Sequence, residues 1–430
     1  MKAKDKKAKA KKEKVEWKRL DNASKIFPAT SNNKDTKVYR ISAELYKDIN
    51  PENLQRALDL TLESFPMYKS ILRRVFFWYY FELSNIYPKV EIESKNPCSE
   101  IYIEGKRNLL FRVSYYKMRI NVEIFHALSD GVGAIWFLET LVFHYMKINY
   151  KEELGGTIPS FEYGASISQK MDDSFWKNYT SNIQGTKMKK EKHKAAYRIK
   201  SKRIEENKMK VIEGAMSVGE VLNISKEYST SMTVFLTSLL MYSIYVDMPK
   251  NKRKKPIVIS VPINLRGYYN SSTARNFFTT MNISYDFQNN SSEFKDIVAY
   301  VDKEFKKGLE EGNIHLKLAR FVKFEKNPIT RIIPLTIKDF FMNMANKLTD
   351  NNISSSISNI GRIKTAKEFE SYIKQFSLCI SARTPKITFC SYNDRLVITF
   401  TSPYIETDIQ RVFFQFLSNR DIKIEITSNI

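Results

Sequence analysis

Cysteine is scarce in this chain. Three residues (Cys98, Cys379, Cys390) and no CxxC pair exclude a disulfide framework and a cysteine-ligated zinc site, and they fit a reducing compartment. The histidines, His126, His144, His193 and His315, stand far apart along the chain, so no His-ligated metal site is expected. GxSxG, HExxH and the GxxxxGK[ST] phosphate loop are all missing. Gly131-Val132-Gly133-Ala134-Ile135-Trp136 opens like GxGxxG, but Trp136 replaces the third glycine and no acidic partner follows, which argues against a dinucleotide site. The longest apolar run, Val234 to Val246, is broken by Thr237, Ser238 and Ser243 and falls short of the roughly 20 residues of a membrane span. It reads as a buried helix. The opening MKAKDKKAKAKKEKVEW has neither the apolar stretch nor the cleavage site of a secretory signal. A cytoplasmic protein without a transmembrane segment is expected.

Against these absences stand 43% hydrophobic residues, 28 Phe and 24 Tyr, a composition that requires a sizeable core and excludes a mainly disordered chain. At 430 residues the chain is long enough for two domains. Its formal charge of +23 is unevenly placed. Residues 1–19 carry net +7 and residues 186–210 net +8, leaving a mildly basic body. Charge blocks of this kind commonly stay exposed, so the first reads as a disordered tail and the second as an exposed crossover linker rather than a nucleic-acid arm. The linker divides an N-terminal lobe (20–185) from a C-terminal lobe (211–430).

Strands and helices mix in both halves. A short strand is expected over 37–42, a helix from Asn50-Pro51 through Leu72, and an aromatic strand over 75–83. Segments 110–116 and 120–125 read as a hairpin leading to His126, with a helix over 134–147 behind it. In the second half, Ser217-Val218-Gly219-Glu220 has the form of a capping box, and Thr233 starts the apolar helix. Strands are expected over 256–263, 277–285, 387–392, 396–401 and 422–426, with helices over 293–309 and 407–417.

The segment Phe125-His126-Ala127-Leu128-Ser129-Asp130-Gly131-Val132-Gly133 concentrates the chemistry. A histidine at a strand end, followed four residues later by Asp-Gly, places an imidazole on a tight turn where Gly131 supplies backbone freedom. Near pH 7 a neutral imidazole takes a proton from a hydroxyl or amine, while Asp130 fixes the loop by pairing with a buried arginine. For an isolated HxxxD the better reading is a core histidine satisfied by a backbone carbonyl.

The sequence around it decides between the two. HALSDGVGAIWFLETLVFHYM resembles the HxxxD acyltransferases, which include chloramphenicol acetyltransferase, plant BAHD enzymes, wax ester synthases and peptide-synthetase condensation domains. It is most similar to bacterial relatives of alcohol acetyltransferase. EWKRLDNASKIFPAT (16–30), FPMYKSILRRVFFWYYFE (65–82), TVFLTSLLMYSIY (233–245), VPINLR (261–266), RNFF (275–278) and SNIGRI (358–363) resemble segments of that subfamily in its order, across nearly the whole chain.

The resemblance implies a two-lobed α/β fold of mixed sheets, similar to chloramphenicol acetyltransferase and condensation domains, with a channel between the lobes. It implies an alcohol O-acyltransferase that uses acyl-CoA as co-substrate, with no bound cofactor or metal and no covalent enzyme intermediate. His126 is the implied general base and Asp130 a structural residue, with Arg266 one candidate partner for it. Asn276, Ser358 and Asn359 are candidates for substrate or oxyanion binding, with turn and cap chemistry as their plainer explanation. Phe125 stands where condensation domains and wax synthases usually have a first histidine, and no DFGWG like that of plant enzymes occurs. An N-acyltransferase or condensation-like enzyme, taking an amine acceptor or a donor on a separate acyl carrier protein, is the nearest alternative. A non-catalytic binding protein on the same fold is the alternative of another class.

Overall fold

The computed structural model describes residues 17–21, 23–154, 169–170, 172–177, 195–206, 208–326 and 332–429. The elements are β1 (Trp17–Arg19), α1 (Ile26–Thr30), β2 (Val38–Leu45), α2 (Pro51–Ser64), β3 (Ser70–Arg74), β4 (Tyr79–Leu83), β5 (Glu91–Ile92), β6 (Phe111–Tyr116), β7 (Arg119–Phe125) and α3 (Gly131–Asn149). There follow β8 (Lys210–Ser217), α4 (Val218–Glu227), α5 (Met232–Asp247), β9 (Ile257–Asn264), β10 (Phe278–Tyr285), α6 (Phe294–Gly308), α7 (Glu311–Lys326) and α8 (Leu335–Asn351). The chain closes with β11 (Ser355–Arg362), β12 (Ile373–Ile380), β13 (Lys386–Tyr392), β14 (Arg395–Ser402), α9 (Asp408–Ser418) and β15 (Glu425–Ser428).

Two lobes result, each a mixed sheet under helices. In the first, the five-stranded sheet β12-β2-β7-β6-β5 carries α2 and α3, and Leu54, Leu58, Phe65, Ile124, Phe137 and Leu141 lie in one buried core. In the second, the seven-stranded sheet β10-β9-β11-β13-β14-β8-β15 packs under α5, α6 and α9 through Phe235, Leu239, Ile259, Val301, Phe400 and Phe413. β11 is parallel to β9 and β13, and the other pairs of that sheet are antiparallel. A small sheet, β1-β4-β3, stands apart.

Local signals explain several boundaries. Asn50 caps α2 by accepting a hydrogen bond from the Asn53 amide, with Pro51 at the first helical position, and Ser217 caps α4 through the Glu220 amide. Over Val234–Val246 the chain is the buried helix α5, and its hydroxyls fold back on the helix: Ser238 donates to the Val234 carbonyl and Ser243 to Leu239. Among the described residues no single helix is long and apolar enough to cross a membrane.

The structure departs from the sequence reading in five places. α2 ends at Ser64, because Phe65 precedes proline and takes an extended φ of −130°, so Leu72 belongs to β3. The aromatic run 75–83 is a turn followed by β4. Trp17–Arg19, assigned to the tail, pairs with β4; residues 1–16 lie outside the described residues. In the linker, His193 is likewise outside them, but Ala196, Tyr197 and Ile199 are buried, and the Tyr197 amide donates to the Pro256 carbonyl. That stretch is packed on the second lobe. The division at residue 211 also gives way, because β12 leaves the second lobe and pairs with β2 from Ile373↔Leu45 to Ile380↔Tyr39.

Candidate active site

His126 follows the last residue of β7, and its amide donates to the Lys37 carbonyl at 2.8 Å, just ahead of β2. The ring is packed on three sides. Phe27 of α1 stacks on it at 4.2 Å between centroids, Tyr39 meets it edge-on at 5.0 Å, and Phe278 lies at 5.7 Å.

The tautomer follows from the polar partners. Asn276 Nδ2 donates to the His126 carbonyl at 2.9 Å and to Ser24 Oγ at 2.8 Å. A carbonyl only accepts, so the amide nitrogen must face it and Oδ1 must face the ring. That oxygen lies 3.2 Å from His126 Nδ1. Nδ1 therefore carries the proton and Nε2 keeps its lone pair, the form a general base requires. Burial lowers the His126 pKa, against the opposing pull of its own backbone hydrogen bond, Asp130 and Asn276. The ring stays neutral at neutral pH.

Behind Asn276 a chain of hydrogen bonds continues into the N-terminal segment. Ser24 Oγ donates to Asp21 Oδ1 at 2.6 Å, and Arg275 Nε stands 3.6 Å from Asp21 Oδ2. Burial raises the Asp21 pKa to about 6, with Arg275 opposing it.

Asp130 points away from the ring. Its carboxylate takes two parallel hydrogen bonds from Arg266, Nη1 to Oδ2 and Nη2 to Oδ1, both at 2.9 Å, with both residues buried. It also accepts from the Gly133 amide at 3.0 Å and from the Phe277 amide at 2.9 Å. Arg266 is held in turn by the Thr273 and Arg275 carbonyls. The pair fastens the start of α3, in the first lobe, to segment 264–277 of the second, and that segment delivers Asn276 to His126.

Glycine at 131 and 133 serves close approach. Neither residue has a positive φ, so the backbone freedom expected of Gly131 is not what its position uses. It is the first residue of α3, behind Asp130 as cap, and a Cβ there would meet Ile360 Cδ1 at 2.9 Å. At Gly133 a Cβ would fall 2.0 Å from the Ala274 carbonyl oxygen, a backbone contact that cannot yield.

The three oxyanion candidates separate. Asn276, a candidate for substrate or oxyanion binding, has its amide hydrogens bonded to Ser24 Oγ and the His126 carbonyl. Asn359 is exposed. Its Nδ2 donates to Thr233 Oγ1 at 2.8 Å while Oδ1 receives the Gly361 amide, so it is turned toward α5. Ser358 pairs with Thr388 one register step before Asn359, so its side chain leaves β11 on the other face. Two cavities, of about 550 and 520 Å³, lie elsewhere: the first between β2 and β8, the second beside Asn359. His126 lines neither. His144 is half-buried within α3 and His315 sits on α7, both remote in sequence from any partner motif. Ser24, Phe27 and Tyr39 were not singled out from sequence. The first two lie in the segment EWKRLDNASKIFPAT, whose resemblance was the available signal.

No family model and no curated protein matches the sequence. Solved structures do. TRI101 of F. sporotrichioides, in a complex with coenzyme A and T-2, superposes with a TM-score of 0.64 at 10% identity, covering 95% of this chain and 99% of its own. The fold is that of the CoA-dependent acyltransferases. TRI3, a trichothecene 15-O-acetyltransferase from Fusarium sporotrichioides, gives 0.58 at 9% identity over 94% of each chain. The starter condensation domain of rhizomide synthetase, in complex with C8-CoA and Leu-SNAC, gives 0.58 at 10% identity, again over 94% of both. This chain therefore has the two-lobed, chloramphenicol acetyltransferase-like and condensation-domain-like architecture.

Proposed function

We infer that the protein is an acyltransferase that moves an acyl group from an acyl-CoA thioester to an alcohol. The observation that carries this reading is His126: its Nδ1–H is committed to Asn276 Oδ1, and among the described residues Nε2 makes no hydrogen bond. Nε2 takes the proton of the acceptor hydroxyl as its oxygen attacks the thioester carbonyl carbon. The tetrahedral intermediate collapses with loss of the C–S bond, and His126 returns the proton to the sulfur, releasing CoA and an ester. No covalent enzyme intermediate forms.

The Ser358 hydroxyl is our remaining candidate for the oxyanion donor, a role worth about 3–4 kcal/mol in a water-excluded site. Asp130 and Arg266 act as positioning residues that hold the two lobes in register around the histidine. A cytoplasmic setting belongs to the same reading, supported by the low cysteine count.

The test is thiol release by purified protein, with acetyl- to palmitoyl-CoA crossed against simple alcohols, amines, and sugar or lipid acceptors. CoA release that requires a hydroxyl acceptor supports O-acylation. Release with amines alone would assign N-acylation instead, and no release with any pair would overturn the enzymatic reading.

A further inference from the structure

The segment between β1 and α1 forms a second layer behind the histidine. Asp21 and Ser24 lie there at 1% and 0% exposure, just ahead of the Phe27 ring that stacks on His126. The hydrogen bonds that join His126 to this segment each have one allowed direction. At the near end the His126 carbonyl orients the Asn276 amide, so the ring Nδ1–H donates to Oδ1. At the far end an ionised carboxylate only accepts, so the 2.6 Å contact with Asp21 Oδ1 takes the Ser24 hydroxyl hydrogen. Ser24 Oγ then offers its lone pairs to Asn276 Nδ2 at 2.8 Å. Both ends demand the same polarity. Every donor points away from the ring, and the last acceptor carries negative charge.

Asp21 is kept at a cost. The Ser24 amide also donates to Oδ1, at 2.7 Å, but Oδ2 is buried and among the described residues has no hydrogen bond. Arg275 Nε, 3.6 Å from it, likewise has none, while Arg275 Nη2 donates to the Arg19 carbonyl at 2.6 Å. A buried carboxylate with one oxygen unsatisfied costs stability, and such costs gather at functional sites.

The negative charge matters at one step. When Nε2 takes the acceptor proton the ring becomes imidazolium, and aligned hydrogen bonds that end on an anion stabilise that charge more than the separate bonds would. Asp130 is no substitute, because Arg266 and two amides hold its oxygens. The other titratable groups nearby are Arg275 and Asp173 about Asp21, and Asp130, Lys37 and the Tyr39 phenol about His126.

We propose that Asp21 is a positioning residue for acyl transfer, the terminal anion of a directed chain through Ser24 and Asn276 that fixes the His126 tautomer and stabilises its imidazolium. The proposal rests on the acyl-transfer reading, but its first readout needs no turnover. Protein labelled with 15N-histidine is measured by NMR at pH 8, beside D21N, S24A and S24T, with H126A to assign the signals. In the parent the His126 ring should be in the Nδ1–H form. D21N and S24A should bring in the Nε2–H form, whereas S24T, which keeps a hydroxyl, should match the parent. With the substrate pair found by thiol release, D21N and S24A should each lower kcat about 10-fold with little change in KM. D21N/S24A should lose no more than the worse single variant, because both cut one chain. If D21N melts early because Arg275 loses its anion, D21N/R275M removes both charges and is read in the same way. Unchanged histidine signals or unchanged kcat in the Asp21 variant overturns the proposal. A response to S24A alone does so too, since the chain would then end at the serine. Absence of CoA release with every substrate pair overturns the acyl-transfer reading instead, and the NMR measurement still decides whether Asp21 orients His126.

Discussion

Asn276 holds both the ring and the backbone of one histidine: Oδ1 lies 3.2 Å from His126 Nδ1, and Nδ2 donates to the His126 carbonyl at 2.9 Å. This fixes the tautomer by hydrogen-bond chemistry alone, because the carbonyl leaves the amide one orientation.

Asn276→Ala is therefore expected to lower kcat about 10- to 100-fold, less than loss of the base itself, with little change in KM. Asn276→Asp is the sharper probe. A carboxylate beside Nδ1 stabilises imidazolium, so its pH–rate profile should shift to higher pH. Kinetics from pH 5 to 9 on both variants would check this, and an unshifted profile for Asn276→Asp would detach the pair from catalysis.

His126→Ala should abolish transfer, about 100- to 10,000-fold, while acyl-CoA binding by calorimetry persists. In the parent protein the lowered His126 pKa keeps the base neutral to a more acidic pH than an unperturbed histidine allows. The folded pKa lies below the unfolded one of about 6.5, so the histidine's contribution to stability is complete above that value and is lost as pH falls through the folded pKa. His126→Ala should flatten that part of the unfolding profile.

Asp130→Ala leaves Arg266 buried without its carboxylate and frees the amides of Gly133 and Phe277. A loss of about 3–5 kcal/mol is expected, with activity falling alongside. Asp130→Ala combined with Arg266→Met should recover part of the stability, since no unpaired charge remains. Denaturant unfolding of both variants measures this coupling, and unchanged stability in Asp130→Ala would make the aspartate a direct participant.

Glu139, inside α3, accepts from the Lys364 amide at 3.2 Å, and burial pushes its pKa up to about 8. Its folded pKa lies above the unfolded value, so its contribution to stability is complete below the unfolded pKa and is lost as pH rises toward 8. Glu139→Gln keeps the acceptor without the proton cost. It should stabilise the protein by about 1–3 kcal/mol at pH 8 and by little at pH 4, as thermal unfolding at the two pH values would show.

Elements built on local pattern were legible in the sequence. The hairpin β6–β7, helix α3 behind His126, and strands β9, β13 and β14 have the alternation or helical period that places them within a few residues. The Asn50 and Ser217 caps were readable for the same reason. What escaped was set by contacts distant in sequence. Asn276 looks like a channel-lining amide until Ser24, 252 residues away, takes one of its protons. Helix α8 was not expected from the sequence, and which of its faces meets solvent depends on what hydrogen-bonds its polar side. β12 has an ordinary strand composition, and nothing local assigns it to the sheet of the other lobe.

That assignment governs how the molecule can be made. With β12 absent, β2 is an open edge whose backbone groups await a partner that lies more than 300 residues downstream. A ribosome must deliver almost the whole polypeptide before the first sheet is finished, and in the interval the bare edge invites pairing with other chains. Fragments cut at the basic crossover should be insoluble, and a split form of the protein would need to carry residues 373–380 with its N-terminal half.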